Sequence, residues 1–117
     1  MTRKRVLLVD DDVSDLATLA SSLELAGFDV TAVGAFDQAL ELVEHELFDT
    51  IVTELDLTGG TGLDLLKTAG DFHTVRGVLV TALRCSAIRK RVQELSLHGY
   101  LEKPFDPNEL IARLRDN

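Results

Sequence analysis

At 117 residues the chain makes one domain with room for a single core, and 45% hydrophobic with 27% charged residues is an ordinary globular composition. A net charge of -8 excludes a surface built to neutralise nucleic-acid phosphates and favours cationic or basic partners. One cysteine, Cys85, excludes an internal disulfide, no apolar run approaches the ~20 residues of a membrane span, and residues 1–5 lead into an apolar run too short for a signal peptide; together these predict a cytoplasmic protein.

The first element is the apolar run at 6–9, short and continuous as expected of a strand covered on both faces. Asp10, Asp11 and Asp12 punctuate it. Asp12 with Asp15 resembles a capping box, and Leu16, Leu19, Ala20 and Leu23 follow at helical spacing until Gly27. A second strand is predicted over 28–33 and a second helix over 35–46, with Ala39, Leu40 and Val43 on one face. The third strand spans 50–53 and ends in Glu54, where a Gly-rich loop (Gly59, Gly60, Gly62) follows. A shorter third helix runs from Gly62 or Leu63 to Ala69 and ends near Gly70.

Residues 77–81 form a fourth strand, and Ser86 is placed to cap a fourth helix carrying Ile88, Val92 and Leu95. A fifth strand covers 99–102. Pro107 opens the last helix, where its missing N–H leaves nothing unsatisfied, and Leu110, Ile111 and Leu114 face inward. Strand and helix thus alternate five times, which implies a single α/β domain over 1–117 with a parallel sheet and helices on both faces.

Open sheets of this kind place their ligand sites at the carboxyl ends of the strands, and the polar residues of this chain collect there. Capping and the helix dipole account for one or two of the three aspartates, but three adjacent carboxylates call for a counter-charge, which Mg²⁺ can supply through one or two carboxylates and water. Lys103 is read either as a solvated surface charge or as a point charge for a carboxylate or phosphoryl oxygen. Thr81 is either a β-branched strand residue or a hydroxyl at the mouth of the sheet. The glycine loop lacks the Gly-Lys-Ser/Thr of a phosphate cradle and is read as a turn. His45, His73 and His98 share no metal-ligand spacing and are placed on the surface.

The order of these features is more specific than any one of them. A strand followed by Asp10-Asp11, a strand ending in a carboxylate, a strand ending in Thr81-Ala82 and a strand followed by Lys103-Pro104-Phe105 resemble the receiver domain of two-component response regulators, over essentially the whole chain. The resemblance implies a flavodoxin-like (βα)5 sandwich with a five-stranded parallel sheet of order 2-1-3-4-5. It implies that Asp10 and Asp11 hold Mg²⁺ beside the phosphoacceptor position, here Glu54, the three forming an acidic pocket that binds the cation weakly; that the backbone carbonyl of Asp56 is a further metal ligand; and that Thr81 and Lys103 contact the phosphoryl group. Tyr100 matches an aromatic that turns inward on activation, and the Lys103-Pro104 bond is expected to be cis.

One departure outweighs these matches. The family has aspartate where this chain has Glu54, and its proline four residues later is Thr58. The extra methylene carries the carboxylate about 1.3 Å further into the site. Phosphoryl transfer depends on positioning, and a misplacement of about 1 Å can cost on the order of 10²-fold. The domain is therefore expected to be non-phosphorylatable, a pseudo-receiver or phospho-mimic that is not an enzyme. It would signal by contact with a sensor histidine kinase or an output domain, with no direct binding of nucleic acid or membrane, and with a weak homodimer through helix 4, strand 5 and helix 5.

Three alternatives stand beside this reading. One is a working phosphoacceptor receiver that regulates a DNA-binding output, to which residues 57–63 bear a faint likeness. A Mg²⁺-dependent phosphatase using Asp10 as nucleophile lacks a cap to exclude water. A flavodoxin-type cofactor binder is disfavoured because three aspartates after the first strand would repel the phosphate.

Overall fold

A computed structural model describes residues 3–82 and 86–115. Its strands are β1 (Arg5–Val9), β2 (Asp29–Val33), β3 (Thr50–Glu54), β4 (Asp56–Leu57), β5 (Gly60–Thr61), β6 (Arg76–Thr81) and β7 (Gly99–Glu102). Its helices are α1 (Val13–Leu25), α2 (Phe36–His45), α3 (Gly62–Phe72), α4 (Ser86–Glu94) and α5 (Pro107–Arg115). The main sheet has the order β2-β1-β3-β6-β7, all parallel, which is 2-1-3-4-5 when its five strands are counted alone. The flavodoxin-like sandwich expected from the sequence is the fold observed.

The continuous apolar strands feed two cores, because successive side chains leave a strand on opposite faces. Val6, Leu8, Val52, Val78 and Val80 point to one side, where Leu19 and Leu23 of α1 and Leu110 and Leu114 of α5 cover them. Leu7, Val9 and Ile51 point to the other, against Ala39 and Val43 of α2 and Leu65 and Ala69 of α3. Helix α4 buries none of its residues.

Several boundaries differ from the sequence reading. Helix α3 continues through the exposed Gly70 to Phe72; a glycine inside a helix costs about 1 kcal/mol relative to alanine and does not by itself end it. Ser86 is the first residue of α4 and not its cap; the capping position lies outside the described residues. Leu95 falls beyond the end of α4 and is exposed, so the apolar stripe on that helix is only Ile88 and Val92, both half-buried. The glycine loop is more ordered than expected. Asp56 and Leu57 pair antiparallel with Thr61 and Gly60, and Gly59 turns the hairpin at φ +95°, a left-handed conformation open to glycine.

Candidate functional site

The parallel strands deliver the site residues to one edge because β1, β3 and β6 all end there. Asp10 follows β1, with its backbone N–H fixed to Val33 O at 3.2 Å, and is 1% exposed. Glu54 ends β3 and is also buried. Thr81 ends β6 and is fully buried, and its carbonyl accepts from the backbone N–H of Lys103 at 2.8 Å. That bond sets Lys103 just past β7, and the peptide bond to Pro104 is cis.

Lys103 Nζ is the centre of the arrangement. It donates to Asp10 Oδ2 at 2.7 Å and Asp15 Oδ2 at 2.9 Å, and lies 3.0 Å from Glu54 Oε2. Burial disfavours the charged amine, but the hydrogen bonds to Asp10, Asp15 and Glu54 outweigh it, and the pKa is raised well above that of an ordinary lysine. The other oxygens of the two buried acids are occupied too. Asp10 Oδ1 accepts from Asp12 N at 2.9 Å, and Glu54 Oε1 accepts from Leu55 N at 3.0 Å.

Asp15 is the member that sequence reasoning missed. Its spacing from Asp12 predicts a capping box, and half of that box exists, since Asp15 N donates to Asp12 Oδ1 at 2.9 Å. The reciprocal half does not, because the Asp15 carboxylate turns to Lys103 instead. Asp15 lies one helical turn beyond the caps, and that position was the available signal.

Asp11 and Asp56 lie apart from this cluster. Asp11 is exposed, with Thr58 Oγ1 at 3.5 Å from Oδ2, and Asp56 is exposed on the hairpin. Among the described residues no group of three or more His, Cys, Asp or Glu is disposed to hold a metal ion. The carboxylates of Asp10, Asp15 and Glu54 gather round an ammonium, while those of Asp10, Asp11, Glu54 and Asp56 do not converge.

Tyr100 is half-buried on β7, close to Arg89 of α4. Arg89 also contacts both oxygens of Glu102, at 2.9 and 3.0 Å, and its pKa is raised by the hydrogen bond to Glu102 first and by the charge of Glu102 second. The histidines are less uniform than expected. His45 is exposed, but His73 and His98 are half-buried, and His98 Nε2 bonds Arg113 O at 2.7 Å near the end of α5.

Residues 6–115 match the family model of the response regulator receiver domain. The chain belongs to that family. Receivers are the signalling domains of two-component systems. Among relatives, this one is 33% identical over 111 residues to the transcriptional regulatory protein CpxR of Escherichia coli K12, covering 95% of this chain and 47% of that protein. It is 34% identical over 113 residues to the DNA-binding response regulator MtrA of Mycobacterium tuberculosis, covering 97% and 50%. The receiver thus spans about half the length of the curated relatives it matches.

Solved structures agree. The non-phosphorylated HemR receiver domain of Leptospira biflexa matches with a TM-score of 0.86 and 30% identity, covering 96% of this chain and 91% of that one. A Burkholderia pseudomallei response regulator with a phosphorylated aspartic acid, calcium ion and citrate matches with a TM-score of 0.86 and 30% identity, covering 97% and 68%. A CheY-like receiver from Methanospirillum hungatei has a TM-score of 0.90 at 24% identity, a likeness of fold. Among the described residues of this receiver no helix is long and apolar enough to cross a membrane.

Proposed function

We propose that this receiver is of the non-phosphorylatable kind, with Glu54 standing at the phosphoacceptor position as a partial mimic of the phosphorylated state. The observation that carries this reading is the Glu54 carboxylate itself, closed between Lys103 Nζ at 3.0 Å and Leu55 N at 3.0 Å. Each oxygen keeps a second lone pair, but the two donors hold the longer Glu54 side chain in place, and an in-line attack displaced by about 1 Å can lose on the order of 10²-fold. Glu54 brings a charge of −1 where a phosphoryl group would bring roughly −2, so the mimicry is partial.

In this reading Lys103 and Thr81 are the contacts of the switch and Tyr100 reports its state. A divalent cation such as Mg²⁺ would be held weakly, by Asp11 and the backbone carbonyl of Asp56 with water, because Lys103 Nζ already takes the Asp10 carboxylate and lies against that of Glu54; when bound it would supply charge neutralisation. The domain acts by protein contact in the cytoplasm and is not itself an enzyme. The partner is a sensor histidine kinase or an output domain, a DNA-binding one on the pattern of relatives such as MtrA. Contact runs through the α4, β7 and α5 face, where a weak homodimer also forms.

Acetyl phosphate with Mg²⁺, read by intact mass, tests the reading. The unmodified chain is expected to gain no phosphoryl adduct, and Glu54→Asp to gain one. A stable adduct mapped to Glu54 overturns it.

A further inference from the structure

The inference concerns Asp15 and rests on the reading of Lys103 as the contact for a phosphoryl oxygen. A lysine ammonium has three N–H donors and no acceptor. Here three carboxylates, Asp10, Asp15 and Glu54, stand round it, so all three donors are committed. An incoming oxyanion can be received only if one of them lets go.

The three partners are not equivalent. The side chains of Asp10 and Glu54 are 1% and 10% exposed, and a carboxylate stripped of its partner there would be left poorly hydrated. That of Asp15 is 47% exposed, so water replaces the lysine at once. Asp15 and Lys103 also line a cavity of about 500 Å³ with Thr18, Pro104 and Phe105, which brings water to that side of the pair.

We propose that Asp15 is the exchangeable partner of Lys103: it holds the one N–H that an incoming phosphate-class oxyanion would take, and so acts from α1 as a built-in competitor for the site. It is a positioning residue, acting only through the lysine. Its competition is mild, since half-exposed ion pairs are weak, and removing it should favour oxyanion capture by about two- to fivefold.

Two measurements test this. The first compares Glu54→Asp with Glu54→Asp/Asp15→Asn in labelling by acetyl phosphate. In that reaction the introduced carboxylate oxygen bonds to phosphorus while the bond from phosphorus to the acetate oxygen breaks and acetate departs with the electron pair. The double variant should label about two- to fivefold faster. Equal or slower labelling overturns the proposal.

The second follows the exchange of the Lys103 ammonium protons by ¹⁵N NMR at neutral pH, with Glu54 in place. Asp15→Asn should quicken exchange and Asp15→Glu should leave it near the parent rate, a pattern that a merely structural role for Asp15 would not produce. If Glu54→Asp fails to label at all, the reading of position 54 has failed, and the exchange measurement alone decides about Asp15; an unchanged rate in Asp15→Asn then overturns it.

Discussion

Gly62 lies so close to the end of β3 that a methyl group on its α-carbon would overlap the carbonyl oxygen of Glu54. Its own N–H donates to Leu55 O at 2.7 Å, which closes the hairpin of β4 and β5 onto the strand. The first turn of α3 is thereby pressed against the backbone that presents the site carboxylate. Gly62→Ala is expected to destabilise the fold by about 1–3 kcal/mol, as overpacking against unyielding backbone does, and to displace Glu54. Urea unfolding measures the first effect, and the amide resonances of residues 54–62 report the second. A neutral Gly62→Ala would mean that the hairpin yields freely.

The lysine junction makes a second prediction. Lys103→Met would leave Asp10 and Glu54 buried without their counter-charge, at a cost on the order of 3 kcal/mol. Because the folded pKa of Lys103 is raised above that of the unfolded chain, the stabilisation is fully present below the ordinary lysine value near 10.5 and is lost only as pH rises through the folded value. The stability gap between the parent and Lys103→Met should therefore stay constant from neutral pH to about 10 and narrow only beyond it. A gap that closes by pH 9 would show that the ammonium is not held as the distances indicate.

At the amino end of the strands, opposite the site, Arg5 pins β1. Its guanidinium donates to Leu47 O at 2.7 Å and Glu46 Oε1 at 2.6 Å and lies 4.7 Å from the centre of the Phe48 ring, while its backbone N–H donates to Asp49 Oδ2 at 2.7 Å. Arg5→Ala is expected to lower stability by about 1–2 kcal/mol, mostly through the bond to Leu47 O and the ring contact and little through the exposed ion pair. Raising salt should therefore recover little of the difference between parent and variant, and a loss that vanishes at 1 M salt would contradict that division.

Glu54 should bias the switch only in part. Moving a two-state equilibrium from 1:99 to 99:1 takes about 5.5 kcal/mol, and one charge-assisted hydrogen bond contributes about 1.5–3. Thr81, Tyr100 and their neighbours should exchange between two arrangements in relaxation-dispersion NMR, and Glu54→Gln should shift the populations. One rigid state, unchanged in Glu54→Gln, would show that position 54 exerts no switching force.

The fold was legible because its strands are short runs of branched apolar residues separated by amphipathic helices. Even α4, whose stripe is weak, was marked by Ile88 and Val92. Asp10, Glu54, Thr81 and Lys103 were legible by position, each at or just past a strand end. What the sequence left hidden was which charge faces which. Asp15 carries a local capping pattern, and only the approach of Lys103, 88 residues away in the chain, diverts its carboxylate. The β4–β5 hairpin was hidden as well, since two-residue strands have no periodicity to read.

The two-sided burial of β1 has a consequence for how the sheet finds its alignment. Val6 and Leu8 face one core and Leu7 and Val9 the other, so sliding the strand by one residue would exchange one aliphatic set for another. Oil alone cannot tell those two alignments apart. The discrimination falls to the polar bookends of the strand, Arg5 at one end and Asp10 at the other. A slip would draw Arg5 away from Asp49 and Leu47 and carry Asp10 out of reach of Lys103. The acid that Lys103 holds at the mouth of the sheet is thus also a ruler, against which the chain checks its threading.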